Sequence, residues 1–355
     1  MIKLYYNVVA TMSGTSLDGM DIIYVNFMLK NSWSFTIRYA ETLPYDTSWK
    51  SRLKELTDKT RTEIEAIDIE YSKYLGDKIN AFIEKHEITN IDFISSHGHT
   101  ALHQPEKNLT LQIGNLQDIA NITNTKVICD FRVQDVKFGG QGAPLVPVGD
   151  RLLFYDYEFC LNLGGFANVS FESNTDRVAF DVCPVNIVLN HYVSKLNLEY
   201  DDKGKIAESG IINFNLLERL NQLQFYKQSP PKSLGLEWVQ YHIFPIIDNY
   251  AIGIKDILRT FVEHCAMQIS KILNVENSSV LITGGGAYNT FLIRRIKELS
   301  VANIIIPSSE IVEFKEALIF GFLGVLKERD EINCLKSVTG AKTDHSTGKI
   351  LLPNT

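Results

Sequence analysis

Apolar positions along the chain alternate between two periods, and that alternation happens twice. Three β-type runs open the sequence, Leu4–Ala10, Ile22–Phe27 and Ser34–Tyr39. Helical spacing then takes over from about Thr62 to Lys85, with Ile64, Ile67, Tyr71, Tyr74, Leu75, Ile79 and Phe82 on one stripe. Short apolar runs at Ile91–Ser95 and Lys126–Cys129 predict two more strands. After residue 150 the pattern begins again. Glu158–Leu163, Ala167–Phe171 and Val178–Phe180 read as three strands, and Ile254, Ile257, Phe261, Cys265 and Ile269 stripe a helix over Ile252–Leu273. "SVLITGGG" (279–286) is a buried strand leading into a helix at Asn289–Leu299. A strand at Asn303–Ile306 stops at Pro307, and 311–328 forms a final amphipathic helix. Each half therefore has three antiparallel strands with a glycine-rich first turn, then alternating helices and strands. The halves share few letters, so the repeat is one of architecture. It predicts an α/β protein of two similar domains with a cleft between them, where small ligands bind.

Composition narrows the partners. The 355 residues are 45% hydrophobic and 22% charged, with a formal net charge of −7. That is the profile of a globular protein, without the basic footprint of a nucleic-acid or anionic-membrane binder. No apolar run reaches the ~20 residues of a membrane span. The opening "MIKLYYNVVATMSG" lacks a small-residue cleavage site and reads as a first strand, so a cytoplasmic protein is expected. The five cysteines (129, 160, 183, 265 and 334) are scattered and never spaced as CxxC, which predicts reduced thiols and neither a disulfide frame nor a zinc site.

Three glycine-rich turns then need one explanation: Gly14–Gly19, Gly164–Gly165 and Gly284–Gly286. Backbone N–H groups in such turns make concave anion sites, and glycine allows a phosphate to approach the chain closely. No GxxxxGK[ST] occurs, and none of these turns carries GxGxxG, so neither a P-loop nor a dinucleotide fold is indicated. What remains is a nucleotide held by a hairpin from each domain, with the third turn near the base or ribose.

The stretches "MSGTSLDGMD" (12–21), "SSHGHTALHQP" (95–105), "CDFRVQDVKFGGQGAPLVPVGD" (129–150) and "LNLGGFANVS" (161–170) closely resemble anhydro-N-acetylmuramic acid kinases. So do "FDVCPVN" (180–186), "YDDKGKIAESG" (200–210), "PPKSLGLEW" (230–238), "ITGGGAYN" (282–289), "KEALIFGFLG" (315–324) and "SVTGA" (337–341). The resemblance runs in order through nearly the whole chain. It implies a duplicated actin/hexokinase-like (ribonuclease H-like) fold with an interdomain cleft. The first domain would comprise residues 1–128 plus about 330–355, and the second 129–329. It also implies an ATP-dependent kinase that opens the 1,6-anhydro ring of its sugar with water and phosphorylates O6, a step of peptidoglycan recycling.

The resemblance also distributes roles. Gly14, Thr15, Ser16, Leu17, Asp18, Gly19, Met20 and Asp21 become the ATP hairpin, with Gly164, Gly165, Gly284, Gly285 and Gly286 as the other nucleotide turns. The hairpin holds no lysine, so Mg²⁺ must neutralise phosphate charge, with Asp18 and Asp21 as its carboxylates, directly or through water. Asp181 aligns with the catalytic base that deprotonates the attacking water, a role suited to a carboxylate. Arg132 could grip a lactyl carboxylate. His97, on a loop after a strand, joins Arg132, Asn186 and Glu316 as the sugar side. The cluster His97, His99 and His103 reads as a polar substrate loop and not as a metal site, because no acid or cysteine completes it nearby. Residues 138–143 are expected to be flexible. A homodimer is the assembly to expect beyond the sugar and ATP.

The family pattern FDTGPGN is Phe180-Asp181-Val182-Cys183-Pro184-Val185-Asn186 here. The departures fall on the sugar side. They leave open a diverged member that binds nucleotide or another amino sugar as a sensor or scaffold. Val185 in place of glycine should narrow the pocket near the sugar, and it should avoid the positive φ that glycine tolerates.

Overall fold

The computed structural model describes residues 3–14 and 17–354. The chain forms two compact units, Met1–Leu153 with Phe314–Thr355, and Phe154–Glu313. In the first, β1 (Tyr5–Ser13) pairs antiparallel with β2 (Gly19–Leu29), and β2 with β3 (Trp33–Pro44). β4 (Phe93–Gln104) lies parallel to β1, β5 (Leu109–Ile113) turns back on β4, and β6 (Val127–Cys129) lies parallel to β4. The strand Lys349–Leu351 closes the edge antiparallel to β6.

In the second unit β7 (Phe159–Leu163), β8 (Phe166–Ser173) and β9 (Asp176–Pro184) form the antiparallel set. β10 (Ser279–Thr283) and β11 (Asn303–Ile305) continue from β7 in parallel. The spatial orders β6-β4-β1-β2-β3 and β11-β10-β7-β8-β9 are the same order. This repeated arrangement is the duplication that the sequence pattern predicted, and the actin/hexokinase-like fold that the resemblance implied.

Apolar patterning explains the layers. β1 is buried from Tyr6 to Ser13, as a strand covered on both faces must be. One cover is the helix Arg61–Lys85, started by a capping box in which Thr60 and Glu63 satisfy each other's N–H groups. It buries Ile64, Ile67, Tyr71, Leu75, Ile79 and Phe82. The other is the helix Ser309–Glu328, which carries Phe320 and Phe322. Ser95 Oγ donates to the Phe320 carbonyl at 2.6 Å, and a Cβ at Gly324 would lie 2.6 Å from that same Oγ, so glycine permits the close approach. This packing places most of that helix with the first unit. The division between compact units falls at 153/154 and 313/314, where the resemblance had implied 128/129 and about 329/330.

β4 is longer than its apolar pattern indicates. Polar residues through Gln104 stay in the ladder by pairing with β1 and β5, with an irregularity at Gly98, whose φ is 73°. His97, His99 and His103 thus sit on a strand and not on a loop. Among the described residues, no helix is long and apolar enough to cross a membrane.

Candidate active site

The β1–β2 hairpin rests on a hydroxyl network. Ser13 Oγ lies 2.6 Å from Tyr45 OH and 2.9 Å from His99 Nδ1, and Tyr45 OH lies 2.5 Å from Tyr71 OH. Burial lowers the His99 imidazole to about 4, so it is neutral, and raises the Tyr45 phenol. Beyond Gly14, Thr15 and Ser16 lie outside the described residues. Leu17 has φ 60° and Asp18 is exposed. Met20 is buried opposite Ser13, and Gly19 is required by β3, since a Cβ there would lie 2.6 Å from the Leu43 carbonyl oxygen. Asp21 Oδ1 accepts from Thr42 Oγ1 at 2.6 Å.

The same unit brings together three of the sugar-side residues. Arg132 Nε donates to His97 Nε2 at 2.9 Å, and Nη1 donates to the Gly142 carbonyl at 2.8 Å. His97 Nδ1–H donates to the Gly98 carbonyl at 2.9 Å, which fixes the tautomer whose Nε2 accepts. Burial and the Arg132 charge keep this imidazole well below its usual range. Phe320 packs against both, with ring centroids 4.4 Å apart for His97 and the Arg132 guanidinium 5.6 Å from the Phe320 centroid. Burial lowers Arg132 to about 10, opposed by the charge of Glu316. Glu316 is accessible, yet desolvation by the surrounding protein raises its carboxyl, while Arg132 and Lys315 pull it down. His99 and His103 have partners of their own, Ser13 and Thr110.

Within residues 138–143, expected to be flexible, 138–142 are tied down. Gly139 and Gly140 N–H donate to the Val136 and Asp135 carbonyls, Gln141 N–H to the Thr339 carbonyl and Gly142 N–H to Asp135 Oδ2, while Phe138 O accepts from Lys342 N–H.

In the second unit the β7–β8 turn is bound to the helix Asn186–Ser194. The Gly165 carbonyl accepts from Val185 and Ile187, and the Gly164 carbonyl from Asn186. A Cβ on Gly165 would meet only Ile187 Cβ, at 3.8 Å, and one on Gly164 nothing nearer than 3.4 Å. Neither position needs glycine for the chain's own packing. Gly284 does, with φ 81° and Asn162 Oδ1 2.5 Å from its missing Cβ; Gly286 packs on Leu163, and Gly285 is open. Asn186 donates from Nδ2 to the Leu163 carbonyl at 3.4 Å and lies beside Gly286. The structure thus groups Asn186 with the glycine turns.

Asp181 lies on β9 opposite Asn168, where the ladder is irregular. Its own N–H donates to the Lys232 carbonyl at 3.1 Å, and Oδ2 accepts from Leu234 N–H at 2.7 Å. Burial raises the carboxyl above the usual aspartate value, and the Leu234 bond opposes this. A partly desolvated carboxylate held by one backbone donor is a stronger base than a free one and keeps its orientation. Lys232 and Leu234 belong to "PPKSLGLEW"; they act through backbone atoms, so no side-chain pattern marks them.

Val185 has φ −132°, in keeping with the expected negative φ. The narrowed pocket is corrected: Val182, Cys183 and Val185 are 3%, 0% and 0% exposed and belong to the hydrophobic core of the second unit. The departures from the family pattern are core substitutions.

The class defined by this repeated fold, with a desolvated carboxylate on β9 and glycine turns at the strand ends, is the actin/hexokinase-like α/β proteins. The model of the family "Anhydro-N-acetylmuramic acid kinase" matches residues 6–353. A relative of that name from Clostridioides difficile is 34% identical, covering 96% of this chain and 97% of its own. One from Sulfurovum sp. is 31% identical, covering 96% and 98%. Among solved structures, the activator of 2-hydroxyisocaproyl-CoA dehydratase from Clostridium difficile is similar at 13% identity and a TM-score of 0.41, covering 92% of this chain and 97% of its own. The chain belongs to the anhydro-N-acetylmuramic acid kinase family.

Proposed function

We propose that this chain is an ATP-dependent kinase that opens 1,6-anhydro-N-acetylmuramic acid and phosphorylates its O6, in cytoplasmic peptidoglycan recycling. The observation that carries the reading is the Asp181 carboxylate, desolvated and oriented by Leu234 N–H in a chain that matches the family end to end. Asp181 takes a proton from water as the water oxygen bonds to the anomeric carbon. The bond from that carbon to O6 breaks, O6 attacks the γ-phosphorus, and ADP leaves. Arg132, held by its Nε and Nη1 bonds to His97 and Gly142, offers its guanidinium to the lactyl carboxylate, and Glu316 accepts from sugar hydroxyls. The glycine turns serve the nucleotide. Mg²⁺ supplies charge neutralisation for the phosphates when bound; Asp18 and Asp21, with their hard oxygen donors, suit it directly or through water.

Replacing the base tests this reading. Asp181→Asn keeps shape and loses basicity, and removal of a general base costs ~10²–10⁴-fold in rate. Sugar-dependent ADP release should fall by that factor while calorimetry finds ATP bound as before. Retention of more than about a tenth of the wild-type rate removes Asp181 from the role.

A further inference from the structure

Asp135, Cys334 and His345 take no part in the chemistry above, yet they converge in the interior of the first unit. Their exposures are 0%, 1% and 7%. Cys334 and His345 are opposite one another in an antiparallel bridge, each N–H donating to the other's carbonyl at 3.1 Å, which sends both side chains to one side. Cys334 Sγ lies 3.0 Å from Asp135 Oδ1, His345 Nε2 lies 3.6 Å from the same oxygen, and all three ligand atoms fall within 4.8 Å of one another.

The histidine points to a missing cation. His345 Nδ1–H donates to the Thr343 carbonyl at 3.0 Å, so the lone pair of the neutral ring is on Nε2. That Nε2 is buried and has no hydrogen-bond partner among the described residues. A lone pair thus faces a carboxylate oxygen across 3.6 Å, an arrangement that repels unless a positive charge lies between. The bond from Nδ1–H to a carbonyl is the outer support that metal-bound histidines usually have. The carboxylate is also pre-set: Oδ1 accepts from Thr339 Oγ1 at 2.7 Å and Oδ2 from Gly142 N–H at 2.7 Å.

We propose that Asp135, Cys334 and His345 form a site for a zinc-class divalent ion that ties the segment 334–345 to the glycine loop behind Arg132. Tetrahedral bonds of about 2.0–2.3 Å to zinc put ligand atoms about 3.3–3.7 Å apart; the nitrogen and oxygen already stand at that spacing, and the sulfur needs to move out from the oxygen by about half an ångström. Thiolate and imidazole donors select zinc, cobalt or nickel over Mg²⁺. On binding, the Cys334 thiol releases its proton to solvent as the sulfur–metal bond forms, and the fourth position falls to water. The ion holds Asp135, whose Oδ2 holds Gly142 N–H, and the Gly142 carbonyl accepts from Arg132. No zinc-finger spacing signals the site, because the ligands lie 199 and 11 residues apart.

Cobalt reports the ligand set. The full chain, stripped by a chelator and titrated with Co²⁺, should take up one equivalent and develop sulfur-to-cobalt charge-transfer absorption. Cys334→Ser should abolish that absorption, and His345→Gln should weaken Co²⁺ and Zn²⁺ binding at least tenfold, whereas Cys160→Ser should change neither. Zn²⁺ should raise the melting temperature of the stripped wild type and not of Cys334→Ser. The wild-type spectrum is decisive even if a variant fails to fold. Absence of charge-transfer absorption in the wild type, or its survival in Cys334→Ser, overturns the site.

Discussion

The β1–β2 and β7–β8 hairpins occupy the same place in the same strand order, but different forces hold them. The first stands on side chains: Ser13 joins Tyr45 and a neutral, buried His99. The second stands mainly on backbone, with the Gly164 and Gly165 carbonyls receiving N–H groups from the start of the next helix and the neutral Asn186 amide donating to the Leu163 carbonyl. One topology thus carries a titratable support in one unit and a proton-independent one in the other. The division of chemistry follows it. The first unit holds Arg132 and Glu316, and the second holds the desolvated Asp181 carboxylate and two glycines, Gly164 and Gly165, that their own packing does not demand.

Acid should expose the difference first. His99 is near 4 in the folded chain against an ordinary 6.5, so its contribution to stability is complete above 6.5 and is lost as pH falls towards 4. The shift corresponds to roughly 3 kcal/mol at most. Chemical denaturation across that window should show a slope that His99→Gln flattens. An unchanged slope would show that the first hairpin does not depend on the neutral imidazole.

A smaller effect tests the second hairpin. Gly165→Ala introduces a Cβ that meets only Ile187 at 3.8 Å, so stability should hold or rise by about 0.4–1 kcal/mol. The same methyl group should obstruct a phosphate and weaken ATP binding about tenfold, equivalent to about 1.4 kcal/mol. Unaltered ATP affinity would assign this glycine to the turn and not to the nucleotide.

Periodicity made the helices Arg61–Lys85, Ile254–Ile272 and Ser309–Glu328 legible to within a few residues, since each buries a 3.6-period stripe. The strands of both antiparallel sets were legible for the same kind of reason. The polar half of β4, β5 and the closing strand Lys349–Leu351 were not, because pairing partners and not apolar alternation hold them. Asp181 and Arg132 could be named from motifs. Their supports could not: Leu234 and Gly142 contribute backbone atoms, and Glu316 reaches Arg132 only through the fold. Val182, Cys183 and Val185 were read from their neighbours in sequence as pocket residues, but the end of β9 and the start of the next helix are covered on every side, and all three, adjacent Val182 and Cys183 included, lie in the core.

Sugar-dependent turnover with product analysis tests the central claim most directly. Purified chain, ATP and Mg²⁺ should release ADP only when 1,6-anhydro-N-acetylmuramic acid is present. For each ADP released, mass spectrometry should find one sugar that has gained a water and a phosphoryl group. ADP release with free inorganic phosphate and an unchanged sugar would contradict the account.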